Sequence, residues 1–309
     1  MATTIVTDGS TDRAPTTPRV VLPTRADVFG ARADRFTALA DGHPMAAYLQ
    51  LMAEVARAQQ AAFGARAGGA VGDKALAASR DYGMPPLSAQ AHERSATWRD
   101  DMQDIARRVR ARSANGVAAM LERVLALDVA ALESLADRVL AGTTLDDDAA
   151  LVPFVGAALQ VYFARLAASL AVSDVDHCDV PGICPVCASR PVASVVRIGG
   201  EQANMRYLVC SLCATEWHMA RVKCTACDTD KGVQYLSLTR DENEKATDSP
   251  TRAEVCDECR SYLKIFYQDK DARIEPNADD LATLALDVLV DEQGYGRSGP
   301  NLLFHPGTA

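Results

Sequence analysis

The sequence predicts an α+β multidomain chain. An N-terminal α-helical bundle comes first, then two rubredoxin-like or zinc-ribbon tetrathiolate metal modules, then a C-terminal helix. Three observations carry this expectation. Apolar residues recur at helical spacing up to about residue 172. All nine cysteines lie between Cys178 and Cys259, eight of them in four C-x-x-C pairs. Between those pairs the pattern changes to strand-like alternation broken by turn residues.

Residues 1–24, rich in Thr and Pro, read as a disordered tail, and residues 25–175 as the helical domain. Pro44 suits a first helical turn, where a missing N–H costs nothing, and opens a segment carrying Tyr48, Leu51, Met52, Val55, Ala62 and Phe63 that Gly64 and Gly68-Gly69 stop. A helical stretch over roughly 87–113 carries Trp98, Met102, Ile105 and Val109. Leu121, Val124 and Leu125, then Leu132, Leu135 and Val139, continue the period, with Gly142 as an end cap. Asp146–Asp148 precede another helix, where negative charge suits the N-terminal dipole; that helix carries Leu151, Val155, Leu159, Tyr162, Leu166 and Leu170. The expectation is a packing and docking scaffold of five to seven helices without a catalytic constellation. The charge-free run 149–164 is too short for a membrane span, which needs about 20 apolar residues, so it reads as a buried core helix.

Helical periodicity ends in the Pro- and Gly-bearing stretch 173–182, the expected domain boundary. A first module over 183–220 then holds a hairpin, Val192–Ile198 and Met205–Val209 around Gly199-Gly200. A second module over 221–309 holds another, 233–239 and 252–256 around a long polar tip, followed by a helix over 278–292 and a Gly- and Pro-bearing tail.

The four pairs are Cys184/Cys187, Cys210/Cys213, Cys224/Cys227 and Cys256/Cys259. Two intervening residues let both thiolates of a pair turn toward one ion in a knuckle, and a tetrahedral four-thiolate site needs two facing knuckles. A hairpin separates the first knuckle from the second and another separates the third from the fourth. Sequential pairing therefore gives two sites from eight ligands. A nested pairing of first with fourth and second with third would confine the inner site to a ten-residue link between Cys213 and Cys224. Tetrahedral thiolate suits zinc and iron alike. Rubredoxin-type knuckles often carry Gly after the second Cys, whereas Ala188, Ala214, Asp228 and Arg260 stand there. C-x-x-C also serves thiol exchange, but no thioredoxin-like βαβ context surrounds these pairs. Cys178, beside His177, reads as a linker cysteine. His218, with Glu216 and Trp217, reads as a packed joint between the ribbons, or as a partner contact or group supporting the ligands.

The net charge is −9, with residues 1–180 at −4 and 181–309 at −5, so neither half is a basic arm. That argues against nucleic-acid binding, which needs a basic surface. A zinc hydrolase keeps an open coordination position, and eight paired cysteines leave none. No basic n-region followed by an apolar h-region opens the chain, so a cytoplasmic location is expected, where thiols stay reduced and C-x-x-C pairs suggest metal before disulfide.

The residues around the knuckles go further. CPVCASRPVASVV, RYLVCSLCATEWHMARVKCTAC and AEVCDECRSYLKIFYQDKD resemble the formate dehydrogenase accessory proteins of the FdhE family, as do EPNADDLATLALDVLVDEQGY and GPNLLFHPG. The resemblance is dense from Cys184 to Gly307. It implies a cytoplasmic maturation factor rather than an enzyme, supporting assembly of molybdenum-containing respiratory formate dehydrogenase. It implies the catalytic subunit of that enzyme as partner; self-association is a separate expectation, and the charge balance and the short apolar run point to neither nucleic acid nor membrane insertion. It also implies two metal ions, with iron slightly favoured over zinc. The expected docking surfaces are an apolar groove on the helical domain and, on the ribbons, Trp217, His218 and the polar hairpin tip. The alternatives are an electron-transfer rubredoxin-like protein and a nucleic-acid-binding zinc ribbon.

Overall fold

A computed structural model describes residues 17–24, 28–113, 115–175, 180–238 and 246–305. Cys178, His177 and residues 239–245 of the hairpin tip lie outside them. Seven helices form the first domain among the described residues: α1 (Gly30–Ala40), α2 (Ala46–Ala65), α3 (Asp73–Tyr82), α4 (Thr97–Arg110), α5 (Asn115–Leu125), α6 (Val129–Ala141) and α7 (Val152–Ala167).

α7 is the axis of the bundle. Its sixteen residues are all buried, and Gln160, Tyr162 and Arg165 bring polar groups with hydrogen-bonding demands into that environment; the Tyr162 hydroxyl accepts from the Ser95 N–H at 3.1 Å. Each fully buried Val, Leu or Phe contributes about 1.5–3 kcal/mol, so an apolar helix of this kind is held by neighbours on every side. Arg165 is matched by Asp101 of α4, which accepts from both guanidinium nitrogens at 2.9 Å. No described helix is long and apolar enough to cross a membrane. α6 starts where the Asp128 side chain accepts from the Ala131 N–H at 2.7 Å, and it stops at Gly142, whose φ of +69° is the left-handed geometry of an end cap.

The expected helix over 87–113 begins only at Thr97. Pro85-Pro86 disfavours helical backbone just before it, and residues 87–89 serve the metal modules instead.

The strands form one sheet rather than two separate ribbons. They are β1 (Val20–Val21), β2 (Pro191–Val196), β3 (Arg206–Cys210), β4 (Glu216–His218), β5 (Val233–Leu236), β6 (Thr251–Cys256), β7 (Ser261–Tyr267) and β8 (Gly296–Arg297). The order is β1-β4-β3-β2-β7-β6-β5, with β8 also on β7. Both expected hairpins are present and antiparallel, β2 with β3 and β5 with β6, and Gly199 and Gly200 take positive φ in the first turn. The modules meet where β2 runs parallel to β7, Ser194–Val196 against Ile265–Tyr267. Arg206 of β3 reaches across that seam to Glu254 of β6 at 2.6 Å, both buried, and holds the inter-module link through the carbonyls of Ala220 and Lys223.

Residues 20–21, expected in the disordered tail, are a strand on β4. Their alternation is too short to read from sequence, and β4 supplies the partner. The expected helix over 278–292 is two, α8 (Pro276–Ala282) and α9 (Leu284–Glu292), broken at Thr283. The break frees the Asp280 and Thr283 carbonyls, and both accept from the buried Lys264 ammonium, at 2.8 and 3.1 Å. α8 docks on α1 through Arg35, paired with Asp279, and Arg32, paired with Glu275. The terminal segment without periodicity is packed rather than loose: Leu303 is fully buried and its carbonyl accepts from the Tyr48 hydroxyl at 2.5 Å.

Candidate metal centres

Each knuckle is a tight turn after a strand end or loop, closed by backbone hydrogen bonds. The Ala188 N–H donates to the Cys184 carbonyl at 2.9 Å, and the Cys184 N–H donates to the Ser189 carbonyl at 2.9 Å. The third knuckle repeats this with Asp228, Cys224 and Thr229. The turn forces the residue after the second cysteine into left-handed backbone. Ala188, Ala214, Asp228 and Arg260 have φ of 61°, 60°, 61° and 55°. These are the positions where glycine would be expected, so the geometry of the knuckle is kept although its residue type is not. Each side chain there costs about 1–2 kcal/mol relative to relaxed backbone.

The eight cysteines assemble in the sequential pairing. Cys184, Cys187, Cys210 and Cys213 form one cluster, and Cys224, Cys227, Cys256 and Cys259 the other, with the sulfurs of each set within 4.8 Å of one another. Cys184 and Cys213 stand 3.5 Å apart, and Cys187 and Cys210 3.4 Å. In the second cluster Cys224 and Cys259 are 3.6 Å apart and Cys227 and Cys256 3.8 Å. Four sulfurs each about 2.3 Å from one ion stand about 3.8 Å apart, whereas a disulfide needs about 2.05 Å. The clusters therefore suit two tetrahedral metal ions, and all eight thiols are free. The nested pairing is absent.

Electrostatics agree. Burial pushes the Cys184 and Cys210 thiols well above their ordinary range. At Cys187 burial acts the same way, but hydrogen bonds from Cys184, Cys210 and Cys213 outweigh it and hold the group well below that range. Cys259 is likewise raised by burial but drawn down overall, to about 7, chiefly by its hydrogen bond with Ser261. Dry thiols crowded this closely oppose their own ionisation, and a cation that replaces their protons removes the conflict.

The two clusters differ in their surroundings. In the first, all four cysteines are buried; in the second, Cys227 and Cys259 are exposed. The helical domain grips the first. Leu87 and Ala89 donate their backbone N–H groups to the carbonyls of Val186 and Cys187, each at 2.9 Å. Gln160, from the middle of α7, donates its amide to the Ser211 carbonyl at 2.8 Å, and its own oxygen accepts from Arg32 and Gln59. Nothing in the periodicity of 87–89 or in a lone Gln on an apolar helix marks either contact. Only the polar residue at a fully apolar position could have drawn attention to Gln160.

A cleft of about 1170 Å³ lies between the helical domain, both modules and the C-terminal segment. Cys187 and Cys259, one from each cluster, lie on its wall, and Leu140 and Val288 are among its apolar residues. Trp217 does not form an exposed surface: it is buried and donates to the Pro181 carbonyl at 2.9 Å. Of Trp217 and His218, only His218 is exposed, with its ring centroid 5.9 Å from that of Tyr207; Thr247 and Asp248, at the described end of the polar tip, are exposed as well.

The family models described as FdhE N-terminal, FdhE central domain and FdhE C-terminal domain match residues 17–178, 183–221 and 222–304. The chain belongs to the FdhE family. It is 38% identical over 308 residues to a protein FdhE homolog of Pseudomonas aeruginosa, covering 99% of both chains. It is 39% identical over 291 residues to one of Edwardsiella ictaluri, covering 93% of this chain and 92% of that one. The crystal structure of the FdhE protein from Pseudomonas aeruginosa aligns with a TM-score of 0.79 at 38% identity, covering 94% of this chain and all of that one. The FdhE architecture thus extends through the helical half, beyond the stretch from Cys184 to Gly307 where the sequence resemblance is dense.

Proposed function

We propose that this chain is a non-catalytic maturation factor for respiratory molybdenum formate dehydrogenase, working in the cytoplasm. In this reading Cys184, Cys187, Cys210 and Cys213 hold one metal ion and Cys224, Cys227, Cys256 and Cys259 hold another. The observation that carries it is two four-cysteine clusters that each place one cysteine, Cys187 or Cys259, on the wall of one cleft, in a chain of the FdhE family. The cleft is the docking surface for the catalytic subunit of the enzyme. Its helical wall offers apolar contact through Leu140, and its α9 wall offers Val288, which is 59% exposed. An exposed aliphatic side chain on a cleft rim is a partner contact of the usual kind.

Saturated tetrathiolate sites leave no open coordination position, which supports an accessory role over a hydrolytic one. Iron at such a site adds a redox state, and a difference in partner affinity of about 1–3 kcal/mol between two states is enough to act as a switch. The test is co-purification of the metal-loaded chain with the isolated catalytic subunit. Retention of that subunit by the native chain, lost on Val288→Glu at unchanged fold and metal content, is expected. No retention by the native chain, or full maturation of the enzyme by Cys256→Ser, would overturn the reading.

A further inference from the structure

The two clusters share one ligand chemistry but not one environment, and this difference carries a division of labour. We propose that the first cluster is a closed joint that keeps its ion as long as the domains stay docked. The second is an open site, whose ion is loaded, lost and met by partner ligands from the solvent side. This rests on the metal-centre reading above and adds to it which site exchanges.

The first site is covered on both of its knuckles. Cys184, Cys187 and Cys213 have no exposed surface and Cys210 has 2%. The loop before α4 covers the first knuckle with two backbone hydrogen bonds, from Leu87 and Ala89. α7 covers the second through Gln160 and the Ser211 carbonyl. Gln160 is itself 2% exposed and locked by Arg32 and Gln59, so it cannot turn away without leaving buried partners unpaired. Cys187 borders the cleft but has no exposed surface, so a chelator reaches these sulfurs only after the helical domain lifts from the knuckles, a sub-global opening.

The fourth knuckle of the second site is tied down by backbone hydrogen bonds, from Gly296 to the Arg260 carbonyl and from Asp257 to the Gly232 carbonyl, yet it stays open to solvent. Asp257, Glu258, Cys259 and Arg260 are all exposed, as is Cys227 on the third knuckle. Cys259 also borders the cleft, beside Ala226 and Ser261, whose hydroxyl lies 3.0 Å from its sulfur. An incoming thiolate or chelator can bind at that edge and displace one cysteine at a time, without any domain moving. Each displaced thiolate takes up a proton from water as the ion passes to the new ligand, or, where iodoacetamide is present, forms an S–C bond as the C–I bond breaks and iodide leaves.

The experiment uses the full-length chain loaded with zinc, challenged with excess 4-(2-pyridylazo)resorcinol and iodoacetamide together, with alkylated cysteines mapped by mass spectrometry over time. The expected result is release of one ion with alkylation confined to Cys224, Cys227, Cys256 and Cys259, at least about tenfold faster than at the other four. Gln160→Ala should speed alkylation of the first set by about tenfold and leave the second set unchanged. Both sets labelled at one rate, or the first set labelled before the second, would overturn the proposal; so would a first set insensitive to Gln160→Ala. If all eight cysteines are alkylated at once without chelator, the metal reading itself fails, and that outcome is distinguishable because no ion is released.

Discussion

Gly156, in the middle of α7, lies directly against the backbone of Leu302: a Cβ at residue 156 would stand 2.2 Å from the Leu302 carbonyl oxygen. The neighbouring atoms are main chain in the packed centre of the molecule, so they cannot swing aside. Gly156→Ala is therefore expected to lower the unfolding free energy by about 3 kcal/mol, read as a lower urea midpoint at unchanged m-value. A midpoint equal to that of the native chain would show that the terminal segment does not seat there in solution.

The left-handed residues that follow each knuckle give a prediction of opposite sign. Ala188→Gly and Ala214→Gly should each raise stability of the metal-loaded chain by up to about 1 kcal/mol, because glycine adopts positive φ without steric cost. Arg260→Gly should instead lose stability. Its guanidinium donates to the Gln293 carbonyl at 2.6 Å and lies 3.9 Å from the centre of the Tyr295 ring, and those contacts vanish with the side chain. Thermal unfolding of the three variants side by side separates strain from contact.

Asp148 sets a pH dependence. Two hydrogen bonds from Arg138, at 2.8 and 2.7 Å, together with the Leu145 N–H, outweigh burial and hold its carboxyl below the ordinary value of 3.8. A depressed carboxylate contributes stability that is complete above the unfolded value and is lost as pH falls through the folded one. Asp148→Asn should thus cost about 1–2 kcal/mol at neutral pH, a difference that closes below pH 3.8. A gap that persists undiminished in acid would assign the loss to packing instead.

Lys264 is fully buried and faces Asp280 at 3.2 Å and Asp287 as well. Arg297 supports the same two carboxylates from the cleft side. Removing the ammonium leaves buried negative charge short of a partner, so Lys264→Met should destabilise by about 3–5 kcal/mol. Tryptic susceptibility around α8 and α9 should rise in step. Unaltered unfolding would mean that Arg297 alone neutralises the pair.

Much of this architecture was legible in the residues. The two four-cysteine clusters and their sequential grouping follow from two-residue gaps and from hairpins long enough to bring knuckles face to face. The burial of 149–164 follows from a run too apolar to face water and too short to span a bilayer. What escaped is what local period cannot encode. The parallel join of Ser194–Val196 with Ile265–Tyr267 links residues about seventy positions apart, and alternation looks the same whichever neighbour a strand has. The split at Thr283 serves a lysine nineteen residues earlier, and the grip of Leu87 and Ala89 on the first knuckle is made by backbone, which leaves no mark in side-chain pattern. The absence of glycine after each knuckle was visible, but the positive φ that those residues accept was not.

The seat of the C-terminal segment also dictates a schedule. Residues 299–303 wedge between α7 and the first module: a Cβ at Gly299 would stand 1.8 Å from the Pro191 carbonyl, as one at Gly156 would strike Leu302. They are synthesised after every described helix and strand. The helical domain and both ribbons can each collapse as they leave the ribosome, but their final docking waits for the wedge. On the reading proposed above, the first cluster is sealed by that docking, so its ion arrives while the chain is still being made or has only just been released. The second cluster keeps no such appointment.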